Sequence, residues 1–376
     1  MSASTTEIGV PAVQSRSSSA RLISLDVFRG ATIAFMIVVN SQTSEEAYWP
    51  LRHANWNGWT PTDLVFPFFL FIVGVSLVLS FQSRSERGAS RRTLLLHTLR
   101  RSAILFAIGF LLNGLGSLSL ESWRIPGVLQ RIAIAYAAAA ILFLCSRTSV
   151  RVAWIAGLLL GYWLLMRFVP VPGFGVPGRD IPLLHPDANL AAYLDRKLML
   201  GHLWERTRDP EGVLSTLPAV ATALCGVLTG EWLRSQRTQL QKAAGMFLFG
   251  VAGIVAGELW GIWFPINKKL WTSSYVVFTA GCALVCVAIC YWIIDIKLHR
   301  GRWTQPFLIL GSNAITAYVI SELLGGWLSW KGYVFLRPLT PFTSPGMASL
   351  LHSLVVLALC FVPVWWMYRR KTFLKI

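Results

Sequence analysis

Residues 52–71 read RHANWNGWTPTDLVFPFFLF and pass without a break from a polar, aromatic segment into an apolar run. A simple membrane anchor needs no histidine, asparagine or aspartate at its edge. Thr60, Pro61 and Asp63 have the pattern of a helix start, with Thr60 as the N-cap, Pro61 in the first position and Asp63 in the third. The stretch therefore predicts a membrane helix that begins beside a polar site. Asp63 is explained equally by the helix cap and by a part in that site.

The composition of the whole chain points to the bilayer as its solvent. Of the 376 residues, 55% are hydrophobic and 14% charged, and the mean hydropathy is +0.56. Soluble domains carry about 25% charged residues. A helix needs about 20 apolar residues to cross the hydrocarbon, and such runs recur at 22–40, 62–81, 102–119, 128–146, 152–169, 213–233, 243–263, 274–294, 305–328 and 348–368. We predict an all-α polytopic membrane protein with about ten transmembrane helices.

The basic residues are distributed unevenly between alternate loops. The formal net charge is +17, from 34 Lys and Arg against 17 Asp and Glu. With a cytoplasmic N-terminus, twenty basic residues fall in cytoplasmic segments and eleven in external ones. This positive-inside bias predicts that both the N- and C-termini are cytoplasmic and that residues 52–63 face outside. Because membrane topology accounts for the basic excess, we expect no nucleic-acid partner.

The chain divides into a short tail and one membrane domain. Residues 1–20 are polar and lack the apolar core and cleavage site of a signal peptide, so we predict a disordered cytoplasmic tail. Residues 21–376 form the transmembrane domain, with a long extracytoplasmic loop at about 169–211. Loops of this length are usually functional or disordered. Aromatic residues, paired charges and helical spacing over 189–200 favour an ordered cap over an outer cavity.

All six cysteines lie within apolar runs. Cys282, Cys286 and Cys290 share one helix face, but no histidine or carboxylate cluster accompanies them. Packing of small thiols between helices explains them better than a metal site. We expect no metal.

The first apolar run, RLISLDVFRGATIAFMIVVN at 21–40, contains charged residues. Asp26 and Arg29 lie inside the run, where ionisable groups usually pair or line a pathway. Arg29 and Asn40 are about three helical turns and about 16 Å apart, and therefore on one face. Ile33 and Met36 lie between them. Two interpretations remain: a self-neutralising Asp26–Arg29 pair, or a conduit with polar ends that also accounts for Asn40.

Seven motifs in this order resemble the heparan-α-glucosaminide N-acetyltransferase family: SLDVFRG, MIVVN, HANWNGWTPTDLVFPFFLFIVG, RIPGVLQRIAIAY, DPEGVLSTLPAVAT, PINKKLWTSSYV and PFLILGSNAITAYV. The resemblance covers residues 20–376. The chain looks like a bacterial member, because it lacks the additional N-terminal domain and first helix of the lysosomal form. A multi-pass protein of the bacterial inner membrane is the implied localisation.

The resemblance implies a transmembrane acetyltransferase. Such an enzyme would take acetyl from cytoplasmic acetyl-CoA and transfer it to the amine of an extracytoplasmic, glucosamine-like sugar. By motif position, His53 corresponds to the active-site histidine and Asn40 to its partner. The residue types suit this chemistry, since histidine can act as a base near neutral pH or accept the acetyl group itself. Asn40 could orient the imidazole or donate to an oxyanion.

Further polar residues are assigned to the two substrates. We expect Asp26, Arg29, Ser312 and Asn313 to contact acetyl-CoA, although interhelical hydrogen bonds explain Ser312 and Asn313 equally well. We expect Asn57, Asp63, Gln130 and Arg131 to contact the amino-sugar or glycan acceptor. Membrane lipid is the remaining partner, and the sequence allows a homodimer.

A transporter for a sugar or another small solute is the rival interpretation, since a polar stripe and an outer cap would suit translocation. Transporters often contain internal repeats with matching broken helices. The sequence holds no second copy of RHANWNG or of the Asp26–Arg29 pattern. The acyltransferase hypothesis is therefore preferred.

Overall fold

The computed structural model describes residues 22–43, 47–115, 119–336 and 343–374, without the side chains of residues 120 and 326–336. The predicted tail at 1–20 lies outside the described residues. The helices, in chain order α1 to α12, are Ile23–Asn40, Val65–Ser85, Arg91–Gly114, Val128–Cys145, Thr148–Phe168, Leu190–Met199, Thr216–Arg234, Gln239–Gly261, Ser273–Cys290, Thr304–Ser312, Ala314–Leu336 and Pro345–Arg369.

Nine of the helical segments in the described ranges are long and apolar enough to cross a membrane, and the bent pair α10–α11 raises this to ten. Within the same ranges no β-strand forms. The prediction of an all-α polytopic membrane protein is confirmed.

The connecting segments meet at two ends of the bundle. One end, which we call the His53 side, holds the segments at 47–60, 119–127, 169–215 and 262–272. These segments contact each other, for example through Gly58 N–H and Ile266 O at 2.8 Å and through Trp56 Nε1 and Leu184 O at 2.7 Å. At the other end, the Arg29 side, α1 begins and α12 ends. There the Ser24 N–H donates to Asp295 at 3.3 Å.

Local signals fix where several helices begin. Thr60 and Asp63 form a capping box at the helical turn Pro61–Leu64, which leads directly into α2; this confirms the predicted helix start. Helix α3 begins at Arg91, eleven residues before the predicted apolar run. Its first turns carry basic side chains that are long enough to reach water from a helix end. Hydropathy alone therefore placed its start too late.

Glycine allows two close helix contacts that position the site. Where α2 crosses α7, a Cβ on Gly226 would lie 2.0 Å from the carbonyl oxygen of Phe71. Where α1 crosses α10, a Cβ on Gly311 would lie 2.2 Å from the carbonyl oxygen of Asp26. A side chain at either position would force the backbones apart, so these contacts require glycine.

The ninth apolar run is not one straight helix. Helices α10 and α11 meet at Asn313 with a bend of 84°. The side-chain amide of Asn313 donates to Thr372 O at 3.3 Å and accepts from Leu374 N–H at 3.2 Å. The break thus coincides with an asparagine whose amide holds the segment that follows α12.

The segment between α5 and α7 folds over the His53 side. Helix α6 occupies most of the region predicted by helical spacing, and Asn189 caps it by accepting from Ala192 N–H at 2.9 Å. Asp195 on α6 is buried and accepts from Val213 N–H at 2.9 Å. Burial raises the pKa of Asp195 to about 6. These contacts attach α6 to the start of α7.

Candidate functional site

The site on the His53 side is built around one buried carboxylate. Oδ2 of Asp63 accepts from the Thr60 N–H and the Ala54 N–H, both at 3.0 Å. Oδ1 of the same carboxylate lies 2.7 Å from His53 Nδ1. Asp63 is 1% exposed, whereas the His53 side chain is 47% exposed. Asp63 therefore caps the helix and holds the imidazole at the same time.

This contact decides which nitrogen of His53 is available for chemistry. An ionised carboxylate only accepts hydrogen bonds, so Nδ1 carries the proton and donates it to Asp63. The second nitrogen, Nε2, then keeps its lone pair. An imidazole oriented in this way can take a proton or attack an electrophile through Nε2.

A lysine from a distant part of the chain completes the group. Lys268 Nζ lies 3.0 Å from His53 Nδ1 and 3.2 Å from Nε2, and 3.8 Å from Asp63 Oδ1. Burial lowers the pKa of Lys268, and the nearby Asp63 carboxylate opposes that shift. The three side chains thus form one cluster, although their positions in the chain span 215 residues.

A cavity of about 490 Å³ opens beside this cluster. Its wall combines the loop that carries His53, the capping residue Asp63, the segment between α6 and α7, and the segment before α9. The lining residues are His53, Ala54, Asn55, Trp56, Asp63, Trp204, Glu205, Pro210, Glu211, Lys268 and Lys269. Trp204 is 67% exposed, and its ring lies under the Arg124 guanidinium at 5.0 Å. The cavity thus offers an indole surface and several hydrogen-bonding groups.

Ion pairs organise the segment between α6 and α7, which covers one side of this cavity. Arg124 binds Asp209 at 2.7 Å and Glu211 at 2.5 Å, and these carboxylates raise the pKa of Arg124. Glu205 binds Lys269 at 2.9 Å and also pairs with Arg208. Those cations lower the pKa of Glu205 against the opposing effect of its burial. These ion pairs therefore hold the segment in place over the cavity.

A second cavity, of about 420 Å³, lies on the Arg29 side. Basic and hydroxyl side chains line its wall together with apolar residues of α2, α3 and α4. The polar members are Arg29, Ser76, Ser80, Ser83, Arg84, Arg87, His97, Arg101, Tyr136, Ser312 and Asn313. Leu374, from the segment after α12, closes part of the rim.

Arg29 lines this second cavity and is held by three hydrogen bonds. Its guanidinium bonds to Ser76 Oγ at 2.7 Å, Asp26 Oδ1 at 3.2 Å and Gly311 O at 3.3 Å. Asp26 is buried. The Asp26–Arg29 pair predicted from the first helix is thus present, and its arginine also faces a cavity.

The sequence matches one family over more than half of its length. Residues 21–259 fit the family model described as "Heparan-alpha-glucosaminide N-acetyltransferase, catalytic". The chain belongs to this family. It is 33% identical to the heparan-alpha-glucosaminide N-acetyltransferase of Mus musculus over 416 residues, which cover 96% of the chain and 61% of the relative. For the Homo sapiens protein of the same name, the identity is 33% over 412 residues, covering 95% and 60%. The chain therefore spans about three fifths of the length of these relatives.

The structure brings some of the sequence-predicted residues of this family member together and separates others. His53 and Asp63 are in contact. Asn40 is exposed at the end of α1 and, among the described residues, neither bonds to His53 nor lines its cavity. Asn57 accepts from Asn267 Nδ2 at 3.2 Å. It too lies outside the cavity lining formed by the described residues.

Gln130 and Arg131 are buried in the bundle. Gln130 Nε2 donates to Ile125 O at 3.1 Å. Arg131 donates to Gly212 O at 3.1 Å and Ser215 Oγ at 2.5 Å. In the described ranges neither residue lines the cavity that contains His53. The contacts of Arg131 hold the starts of α4 and α7 together.

The polar stripe predicted along α1 does not form a continuous wall. Ile33 and Met36 are buried in the core. Of the α1 residues, all of which are described, Arg29 alone lines the second cavity. Its other walls come from α2, α3, α4 and the α10–α11 break, where Ser312 and Asn313 lie. The cavity is thus built between helices rather than along one helix face.

Sequence reasoning left several lining residues out of the predicted site. Lys268 lies in the motif PINKKLWTSSYV, which carried the resemblance, but nothing in its local pattern indicated a contact with a histidine 215 positions earlier. Trp56 lies in the motif HANWNGWTPTDLVFPFFLFIVG, but it was not among the predicted site residues. Arg84, Arg87 and Arg101 were counted as part of the basic bias. No group of three or more metal-ligating residues lies close together in the part of the chain that the structure describes.

Proposed function

We propose that this protein is a transmembrane acetyltransferase. It would take acetyl from acetyl-CoA bound on the Arg29 side and transfer it to the amine of a glucosamine-like sugar bound on the His53 side. The observation that carries the proposal is the His53–Asp63 pair beside a cavity. Passage of a solute would need no oriented base, whereas amine acetylation does. Family membership supports the same reaction class.

The cavity on the Arg29 side suits the donor. Acetyl-CoA has an anionic phosphate end and a long, largely uncharged pantetheine arm. Arg84 and Arg87 line the cavity at the end of α2, and Arg101 lines it from within α3. Guanidinium groups bind phosphate through charge-assisted hydrogen bonds. Leu77, Leu105 and Leu129 add apolar surface. On this proposal the phosphates bind the arginines and the arm extends into the bundle towards His53.

The orientation follows from the chemistry of the two substrates. Acetyl-CoA is made in the cytoplasm, so the Arg29 side would face the cytoplasm and the His53 side the exterior. The positive-inside bias supports the same orientation. A bacterial inner membrane is the proposed location.

The cavity on the His53 side suits an amino sugar. The exposed indole of Trp204 offers a flat surface to the apolar face of a sugar ring, and Glu205 and Glu211 offer acceptors to its ammonium and hydroxyl groups. The two relatives are named for a glucosaminide substrate. We extend that substrate class, an amine on a terminal sugar, to this chain.

The chemical step uses Nε2 of His53. It removes a proton from the acceptor's ammonium, and the free amine attacks the thioester carbonyl. The tetrahedral adduct then loses a second proton from its nitrogen as the C–S bond breaks. CoA leaves as a thiolate that takes up one of the two protons, and the other is released to solvent. If an acyl-imidazole forms first, the same Nε2 makes and breaks the bond to the acetyl group. In either case Asp63 holds the tautomer and stabilises the imidazolium or acyl-imidazolium.

The test is acetyl transfer by the purified chain from labelled acetyl-CoA to free glucosamine. We expect His53→Ala to lower turnover at least about 100-fold, since it removes the base. His299→Ala is the matched control, because His299 is exposed on the Arg29 side. Thermal unfolding of both variants would confirm that they fold. Retention of more than about a tenth of the wild-type turnover by His53→Ala would overturn the proposal.

A further inference from the structure

The position of Lys268 differs from that of an ordinary hydrogen-bond donor to histidine. Its ammonium is almost equidistant from the two ring nitrogens, at 3.0 Å from Nδ1 and 3.2 Å from Nε2. A donor aimed at one lone pair would be close to a single nitrogen, and Nδ1 already faces Asp63 at 2.7 Å. The ammonium therefore lies against the ring as a positive charge.

The backbone on either side of Lys268 is anchored by hydrogen bonds. Its neighbour Asn267 is fully buried, and Asn267 Oδ1 accepts from Leu270 N–H at 2.9 Å. Asn267 O accepts from Thr272 N–H at 3.1 Å, and Ile266 O accepts from Gly58 N–H at 2.8 Å. These bonds tie the lysine's segment to the loop that carries His53. The backbone that carries Lys268 is therefore anchored beside this loop.

Two opposite charges act on the imidazole at short range. The buried Asp63 carboxylate favours the imidazolium, as a carboxylate next to a histidine does. The Lys268 ammonium disfavours a second positive charge at about 3 Å. The other charged groups of the cavity wall are Glu205, Glu211 and Lys269. Glu205 is paired with Lys269 and Arg208, and Glu211 with Arg124, so their effects on the imidazole largely cancel.

We propose that Lys268 is a positioning residue whose ammonium keeps His53 uncharged at neutral pH. An imidazolium could not take the proton of an incoming ammonium, so Asp63 alone would orient the base and also disable it. Lys268 offsets the charge of Asp63 while leaving the orientation intact. The catalytic consequence rests on the function proposed above, but the charge state of His53 can be measured without any acetyl transfer.

The measurement is carbethoxylation of His53 by diethyl pyrocarbonate, which reacts with the uncharged imidazole only. The full-length chain would be treated at a series of pH values between about pH 5 and 8, where histidine titrates. Mass spectrometry would then measure how much of the peptide containing His53 is modified at each pH. Lys268→Met removes the charge and keeps the length of the side chain. In this variant we expect the pH midpoint of His53 modification to rise by about one pH unit or more. Lys268→Gln provides a second uncharged variant.

Two further variants isolate the charge. Lys268→Arg keeps the charge, so its midpoint should stay near the wild-type value. Lys197→Met is the matched control: the same substitution at an exposed lysine of α6, outside the cavity wall, which should leave the midpoint in place. The proposal is overturned if Lys268→Met and Lys268→Gln keep the wild-type midpoint. It is also overturned if Lys197→Met shifts the midpoint equally.

The acid limb of the pH–rate profile for acetyl transfer gives a second measure of the charge state of His53. It should move in the same direction and by the same amount as the carbethoxylation midpoint in each variant. If the wild-type chain transfers no acetyl while the midpoints shift as expected, the proposed function fails and the role of Lys268 stands. If transfer occurs and neither reading moves, the role of Lys268 fails alone.

Discussion

At the scale of single residues, the contacts of Asp63 join local folding to chemistry. The capping-box pattern at residues 60–63 fixes the start of α2, and the same carboxylate reaches His53 ten residues earlier. The residues before a helix cap must turn sharply to enter the helix. A histidine placed in that turn can therefore contact the capping carboxylate without any tertiary contact.

The first prediction concerns Asp63→Asn. An amide in this place would present an N–H₂ group towards donors that now bind a carboxylate, so His53 would lose its fixed tautomer. We expect kcat for acetyl transfer to fall at least about 100-fold, and the weakened capping box to destabilise the fold by about 1 kcal/mol. Asp180→Asn, at an exposed carboxylate of the cap segment, is the control. A wild-type kcat in Asp63→Asn would contradict this role.

The second prediction concerns Arg87 in the cavity on the Arg29 side. Arg87 is exposed and lines the rim, where it would contact phosphate before and during the reaction equally. We expect Arg87→Gln to raise the KM for acetyl-CoA about three- to tenfold and to leave kcat nearly unchanged. Arg91→Gln changes an exposed arginine at the start of α3 that lies outside this cavity wall, and its KM should match the wild type. Equal effects in both variants would show that only net charge matters.

At this scale, the sequence predicted the helix cap at residues 60–63, but it did not predict the contact of Asp63 with His53. His53 and Asp63 lie in one short stretch whose helix-cap pattern limits the geometry. The contact of His53 with Lys268 joins positions 215 residues apart, and no periodicity in a single sequence encodes such a pair. Asn57, Gln130 and Arg131 were assigned by polarity and membrane depth, which do not show the direction in which a side chain points.

At the scale of helices, the site depends on how closely α2 and α7 pack. Gly226 lets the backbone of α7 approach Phe71 O directly. Since α2 carries Asp63 at its start, a wider spacing here would move the capping turn away from the segment that carries Lys268. Hydropathy predicts such helices well because each one must be apolar, but it does not predict which faces meet.

The third prediction compares two glycine-to-alanine changes. Gly226→Ala would place a Cβ 2.0 Å from Phe71 O, and backbone atoms cannot move aside as a side chain does. We expect a loss of about 1–3 kcal/mol in the free energy of unfolding and reduced acetyl transfer. Gly161→Ala, on α5, meets no atom within 4 Å, so alanine should be neutral or stabilising there. The measurement is thermal unfolding in detergent, and equal midpoints for both variants would refute the packing argument.

The bend between α10 and α11 was also missed, and for a physical reason. The apolar run at 305–328 satisfies the length and hydropathy of one span, whereas the break depends on Asn313 bonding to Thr372 and Leu374. Those partners lie about sixty positions further along the chain. A break of this kind is a tertiary feature, and the sequence supplies only the asparagine.

At the scale of the whole molecule, two cavities open on opposite sides of the helical bundle. One contains His53 and Asp63; the other contains Arg29 and a group of arginines. The sequence predicted the bundle and the basic bias, yet each cavity wall combines residues from several helices and loops. Such walls follow from packing, which composition and spacing do not determine. The central claim is that one molecule uses both cavities in a single reaction.

The most direct test separates the two substrates by a membrane. The purified chain would be reconstituted into sealed vesicles loaded with glucosamine, and labelled acetyl-CoA, which does not cross the bilayer, added outside. We predict that labelled N-acetylglucosamine accumulates inside the vesicles, and that vesicles carrying His53→Ala form none. Product formation only when both substrates are on the same side would contradict the account.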